Sequence, residues 1–304
     1  MKILIMLMLV GCGSSNGVVE DATIKPPSVA DESIILDEQD ENVDSIVDPV
    51  ISNFVFDLDD WEVVERNAFI GQSADIINGS VYFTSSGAEH VLEIDPITGE
   101  VVWHGKMKVN NGVIETHPVS VAHKDGYPTI IGGFNKFFII DWDIFRNEKN
   151  LTNALISEVL EVNTIGYVRG SYAKLGEKTI YASGPYRQKD LTQDVNIINI
   201  YDASKLAEAD ATDELNVLLY TIERMPQFIQ SYFWDGTHLI LVMNTSNVVG
   251  MKLAYLNLET EKIEKTVTYN SIEELEGYAI TEDGTEYLVT GETVPGRYYI
   301  RRPK

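Results

Sequence analysis

Five residues invite a chemical reading: Gln72, His117, Arg169, Gln230 and Glu276. The flanking residues place each where a short strand begins, and Tyr167, Tyr232 and Tyr278 stand nearby. If those strands converge, two amides, an imidazole, a guanidinium and a carboxyl meet in one ring. Such a ring suits a small polar or anionic ligand, with Arg169 as its charged clamp. A water-filled channel lined by ordinary polar side chains would show the same residues, and the sequence does not separate the two.

More specific chemistries find less support. The five histidines are His90, His104, His117, His123 and His238, and none sits at helical metal-ligand spacing from another. His117 and His123 would share a strand face but stand about 20 Å apart, too far to share a metal. Glycoside hydrolysis needs two facing carboxyl groups. Glu276 is one candidate, with Glu115 and Glu274 as weaker seconds. Asp57, Asp59, Asp60 and Glu62 cluster around Trp61, where a solvated turn is a simpler reading than a calcium site. No catalytic residue, metal site or cofactor is assigned.

The elements that must position the ring repeat along the chain. Short apolar runs separated by turn residues dominate from Phe54 onward, an all-β pattern. A tight turn ending in glycine, followed by a strand, recurs at Gly79, Gly126, Gly176, Gly236 and Gly284. Successive spacings are 47, 50, 60 and 48 residues. Five residues before these glycines stand Ala74, Val121, Ser171, Ser231 and Ala279. Their small size suits strands that converge on an axis. The second half of the repeat is clearest in His90–Trp103, a strand, the turn Asp95-Pro96-Ile97-Thr98-Gly99, and a returning strand. The insertion 203–214 explains the 60-residue spacing and has room for a short helix. The last unit lacks an outer strand, and Phe54-Val55-Phe56 with Trp61-Glu62-Val63-Val64 has no partner of its own. Ring closure by this N-terminal segment satisfies both ends and removes exposed edges. The expected fold is a five-bladed β-propeller, with a sixth blade left open inside the long third unit.

The stretch GSVYFTSSGAEHVLEIDPITGEVVWHGK resembles a blade of the PQQ-like and WD40-like propeller superfamily, through Gly79, Tyr82, Asp95, Thr98, Gly99 and Trp103. The resemblance implies blade geometry and no single function. The superfamily includes outer-membrane assembly lipoproteins, quinoprotein dehydrogenases and arylsulfotransferases. A quinone site is not expected in so small a ring without adjacent cysteines. An arylsulfotransferase-like nucleophile has only His117 in a plausible channel position.

The N-terminus reads as an address. Met1-Lys2 is followed by the apolar run Ile3 to Val10, too short to span a bilayer. Leu9-Val10-Gly11-Cys12 resembles the lipobox of bacterial lipoproteins, which implies cleavage before Cys12 and acylation of that residue. Cys12 is the one cysteine in the chain, so no internal disulfide forms. Gly13 at the next position favours the outer membrane in a host with two membranes. The segment that follows carries ten acids between Glu20 and Asp48 and one base, Lys25. It cannot bury enough apolar surface to offset its ordering entropy, and reads as a disordered spacer.

The formal net charge of −24 argues against a nucleic-acid partner, which needs a basic footprint. These readings give a signal peptide at 1–11, a lipidated cysteine and acidic linker at 12–50, and a propeller at 51–304. The expected function is a cell-envelope lipoprotein, membrane-bound through its lipid, whose propeller binds or scaffolds a protein or glycan partner. The rival is a glycosidase-like propeller hydrolase.

Overall fold

The computed structural model describes residues 52–67, 70–86, 90–95, 97–98, 100–160, 166–186, 196–206, 208, 217–245, 250–291 and 298–304. The signal peptide, Cys12 and the acidic linker lie outside the described residues. So do Pro96 and Gly99 of the hairpin turn and most of the insertion 203–214.

Among the described residues five blade sheets, antiparallel except for one added strand, form the ring of the domain. After β1 (Ser52–Phe56) and β2 (Trp61–Asn67), the first blade is β3 (Ile70–Ile77), β4 (Ser80–Ser86), β5 (His90–Ile94) and β6 (Val101–Lys106). A small ribbon, β7 (Lys108–Val109) with β8 (Gly112–Val113), leads to the second blade. That blade is β9 (Ser120–Ala122), β10 (Thr129–Gly132), β11 (Lys136–Ile140) and β12 (Leu155–Leu160), with α1 (Trp142–Glu148) between its last two strands. The third is β13 (Val168–Leu175), β14 (Lys178–Pro185), β15 (Asn196–Asp202) and β16 (Leu218–Met225), with α2 (Ala203–Leu206) opening the insertion. The fourth is β17 (Ile229–Trp234), β18 (Leu239–Met243), β19 (Met251–Asn257) and β20 (Lys262–Tyr269). The fifth is β21 (Glu274–Ile280), β22 (Glu286–Gly291) and β23 (Tyr298–Pro303), completed by β2.

The innermost strands β3, β9, β13, β17 and β21 touch in sequence, and β21 returns to β3. The ring is closed: this is a five-bladed β-propeller. Each gap between neighbouring blades holds its own apolar layer, five in all. Blade strands are therefore buried on both faces, as the unbroken burial of Phe137–Ile140 and Leu239–Met243 shows. The glycines that marked the repeat all take positive φ, from 55° at Gly176 to 98° at Gly236, the backbone region these turns require. Asp95 accepts the backbone N–H groups of Ile97 (2.7 Å) and Thr98 (3.0 Å), and Asn257 does the same for Glu259 and Thr260 in the fourth blade.

Three expectations need correction. The N-terminal segment serves two blades instead of one. Strand β2 closes the fifth, while β1 adds to the outside of the fourth, parallel to β20. A 3-10 turn at Leu58–Asp60 separates the two strands. The stretch Phe137–Trp142 reads from the sequence as one strand, but the strand stops at Ile140. The Asp141 side chain accepts the Ile144 N–H (3.0 Å), and this N-cap starts α1 at Trp142. The small inner-strand residues are all buried but do not all face the axis. Ala74 and Ala279 enter the layer between the fourth and fifth blades, and Val121 the layer between the first and second. Alternate residues of a strand point to opposite sheet faces, and here those faces meet the neighbouring blades.

Candidate functional site

Each blade contributes one of the five residues singled out above. Gln72 lies in β3, His117 three residues before β9, Arg169 in β13, Gln230 in β17 and Glu276 in β21. Three of them share a backbone device. The strand register slips between Gly71 and Ser73, between Ile229 and Ser231, and between Leu275 and Gly277. Gln72, Gln230 and Glu276 are thus the residues without a partner opposite in the neighbouring strand. A bulge re-aims its side chain away from the sheet face. Gln72, Arg169, Gln230 and Glu276 are each at most 5% exposed, and His117 is half-buried.

Hydrogen bonds join neighbours around the ring. His117 Nε2 and Gln72 Oε1 are 2.7 Å apart. Arg169 donates to the Tyr167 carbonyl (3.1 Å) and to Gln230 Oε1 (3.1 Å). Gln230 in turn donates to Glu274 Oε1 (2.5 Å), which also accepts from Asn244 (3.1 Å). Glu274 and Glu276 stand two residues apart on β21, and their carboxyl charges influence each other. Arg169 Nε and Glu276 Oε2 are buried polar atoms with no partner among the described residues.

The electrostatics follow from burial. Desolvation holds the Glu276 carboxyl well above the usual carboxylate range, and the Glu274 charge adds to this while Arg169 opposes it. Desolvation also raises Glu274, against its hydrogen bonds and Arg169. Burial, then the Arg169 charge, pushes His117 down to about 4. At neutral pH the site therefore presents a neutral imidazole beside a cationic guanidinium, with two carboxyls whose proton affinity burial raises.

Aromatic rings flank this polar floor. Phe134 is 50% exposed and meets the Tyr167 ring edge-on at 5.3 Å, and Tyr167 lies 4.3 Å from the His117 ring. Tyr186 lies under the Arg169 guanidinium at 5.4 Å and contacts Phe228 at 5.6 Å. Phe228 has a φ of 65°, a strained conformation for an aromatic residue, stabilised by backbone bonds to Tyr186 and Asn244. The arc runs from the second blade to the edge of the fourth.

The weaker expectations resolve differently. Glu115 accepts the backbone N–H groups of His117 and Phe134 (2.8 Å each) and so anchors two loops. Tyr278 is not at the ring. It packs in the layer between the fourth and fifth blades, and its hydroxyl donates to Glu286 (2.9 Å). The acidic cluster around Trp61 is partly paired: Glu62 with Arg302, and Asp57 with Asn270. Among the described residues no group of three His, Cys, Asp or Glu side chains could hold a metal ion. Sequence reasoning missed Asn244, Phe134 and Phe228. Only Glu274, two positions from Glu276 on one strand, carried a readable signal.

No protein-family model matches the chain, and no curated protein matches it. Solved structures do. The chain is similar to a glutaminyl cyclase of Myxococcus xanthus (TM-score 0.53, 9% identity), with 83% of this chain and 97% of that one covered. It is also similar to the WD40 repeats of RRP9 (TM-score 0.44, 7% identity; 81% and 98% covered). A luciferin-regenerating enzyme gives a TM-score of 0.42 at 12% identity, with 76% and 72% covered. Likeness at these identities is likeness of fold: the class is the β-propeller.

Proposed function

We propose that this chain is a lipid-anchored envelope protein whose propeller is a non-catalytic binding module, and that its ligand is a short glycan held at the axial mouth. The observation that carries the reading is the aromatic arc Phe134–Tyr167–Tyr186–Phe228 set around the planar polar groups of Arg169, Gln230 and Glu274. A sugar ring offers an apolar face to aromatic rings and adjacent hydroxyls to amide, guanidinium and carboxylate groups. The anchor rests on Leu9-Val10-Gly11-Cys12. Two or more acyl chains hold a protein stably at a bilayer, which one does not.

A second reading, hydrolysis of the same ligand, draws on the Glu274–Glu276 pair and its raised proton affinity. Its geometry is unfavourable. Both carboxyls come from one strand, not from facing walls, and Glu274 is already engaged by Gln230 and Asn244.

Titration calorimetry of the Cys12→Ser chain against a panel of short envelope glycans tests the binding reading. Tyr167→Ala and Arg169→Gln should each weaken binding by about tenfold or more. Equal affinity in all three proteins would refute it, and cleaved glycan in the cell would favour the hydrolase. For the anchor, labelled palmitate should enter the wild type and not Cys12→Ser. Equal incorporation would rule the lipid out.

A further inference from the structure

The innermost strands have two ends, and the glycan reading uses one. At the other end a cavity of about 420 Å³ opens. Every blade supplies part of its wall: Asp75 from the first, His123 from the second, Tyr172 from the third, Trp234 from the fourth and Glu282 from the fifth. The cavity is therefore axial, and its volume is that of a small-molecule site. Asp75 stands three positions along β3 from Gln72 of the ring.

Asp75 is the distinctive group. Its Oδ1 accepts the Ile76 N–H (2.8 Å) and its Oδ2 accepts the His123 N–H (3.1 Å). These bonds fix the carboxyl against the wall. Among the described residues no cationic side chain bonds to it, and desolvation pushes its pKa up to about 7 despite the two backbone donors. A half-buried carboxylate gains more from a cation than a fully exposed one does, because water screens its charge less. The rest of the lining points the same way. Asp235 and Glu282 add negative charge, and Lys124 is its one lysine or arginine. Burial keeps His123 below its ordinary pKa, so it adds no charge at neutral pH. Trp234, partly exposed, brings aromatic surface to the same space, backed by Phe233 and Tyr172, which pack into the neighbouring inter-blade layers.

We infer that this cavity is a second ligand site, and that it takes a small organic cation whose ammonium group sits between the Asp75 carboxylate and the aromatic wall. Aromatic faces attract a desolvated ammonium, and the fixed carboxylate supplies the charge partner. The site does not depend on the glycan reading.

Choline is a suitable probe, and 3,3-dimethylbutan-1-ol is its neutral isostere. The Cys12→Ser chain should bind choline saturably and the neutral isostere about tenfold more weakly. Asp75→Asn should lose about tenfold in choline affinity. Glu282→Gln, at an exposed position outside the backbone-bonded core, should lose about two- to threefold with its fold intact. Choline affinity should fall as pH drops from 8 to 6, because Asp75 gains a proton; Lys124, Asp235, Glu282, His123 and Tyr172 face the same cavity. Equal binding of choline and the isostere would overturn the assignment. So would unchanged choline affinity in Asp75→Asn, or, if that variant does not fold, in Glu282→Gln.

Discussion

Glu274 and Glu276 stand two residues apart on the innermost strand of the fifth blade, and the Glu274 charge adds to burial in raising the proton affinity of Glu276. Gln230 ties Glu274 to Arg169 of the third blade. Three blades thus meet through one hydrogen-bonded network.

That relationship fixes a dependence of stability on pH. The folded state raises the Glu276 pKa, so between the unfolded and folded values the native chain holds a proton that the unfolded chain has lost. The native state loses stability as pH rises through this window. Glu276→Gln keeps the shape and removes the ionisation. Its melting temperature should equal that of the wild type near pH 4.5 and exceed it increasingly toward pH 8.5. A constant offset across that range would contradict the assignment.

His117 should show the opposite slope. Burial and Arg169 lower its pKa to about 4, so acid favours the unfolded chain, whose imidazole takes a proton near pH 6.5. Stability from the neutral imidazole is complete above that pH and is lost as pH falls toward 4. His117→Gln should flatten this part of the stability curve. Imidazole carbon shifts followed by NMR should show no titration of His117 between pH 8 and 5.

Closure of the axis depends on bare backbone. A Cβ on Gly277 would lie 2.6 Å from the Ala74 nitrogen and 2.7 Å from the Ser73 carbonyl carbon, both backbone atoms of the first blade. Neither can yield without moving an inner strand. Gly277→Ala should cost about 2–3 kcal/mol, measured by urea unfolding.

The N-terminal strands should be indispensable to the ring. β2 pairs with β23 from Trp61↔Pro303 to Asn67↔Tyr298. Deleting residues 52–67 exposes the β23 edge and the flank of β20 together. The truncated chain should aggregate at concentrations where the full chain stays monodisperse by light scattering.

Much of this was legible because propeller blades repeat local chemistry. Gly79, Gly126, Gly176, Gly236 and Gly284 announce the inner hairpins, since each turn needs positive φ. Counting along the strand entering each turn also places Gln72, His117, Arg169, Gln230 and Glu276 at one end of the inner strands. What could not be read depends on register and on chain-distant contacts. The bulges that release Gln72, Gln230 and Glu276 leave no composition signal. Phe134 and Phe228 look like ordinary apolar residues until the second and fourth blades close on the third. Asp75 reads as a polar residue near a turn, and only the ring makes it part of an axial cavity. The separate destinations of β1 and β2 are equally hidden, because both are short apolar strands.

Whether the axial mouth holds a glycan is decided by hydrogen–deuterium exchange with and without the glycan that calorimetry selects. Protection should appear together at residues 115–118, 166–170, 228–231 and 274–276, which come from four different blades and meet only at the axis. Protection confined to the outer strands, or to the Asp75 end of the channel, would contradict it.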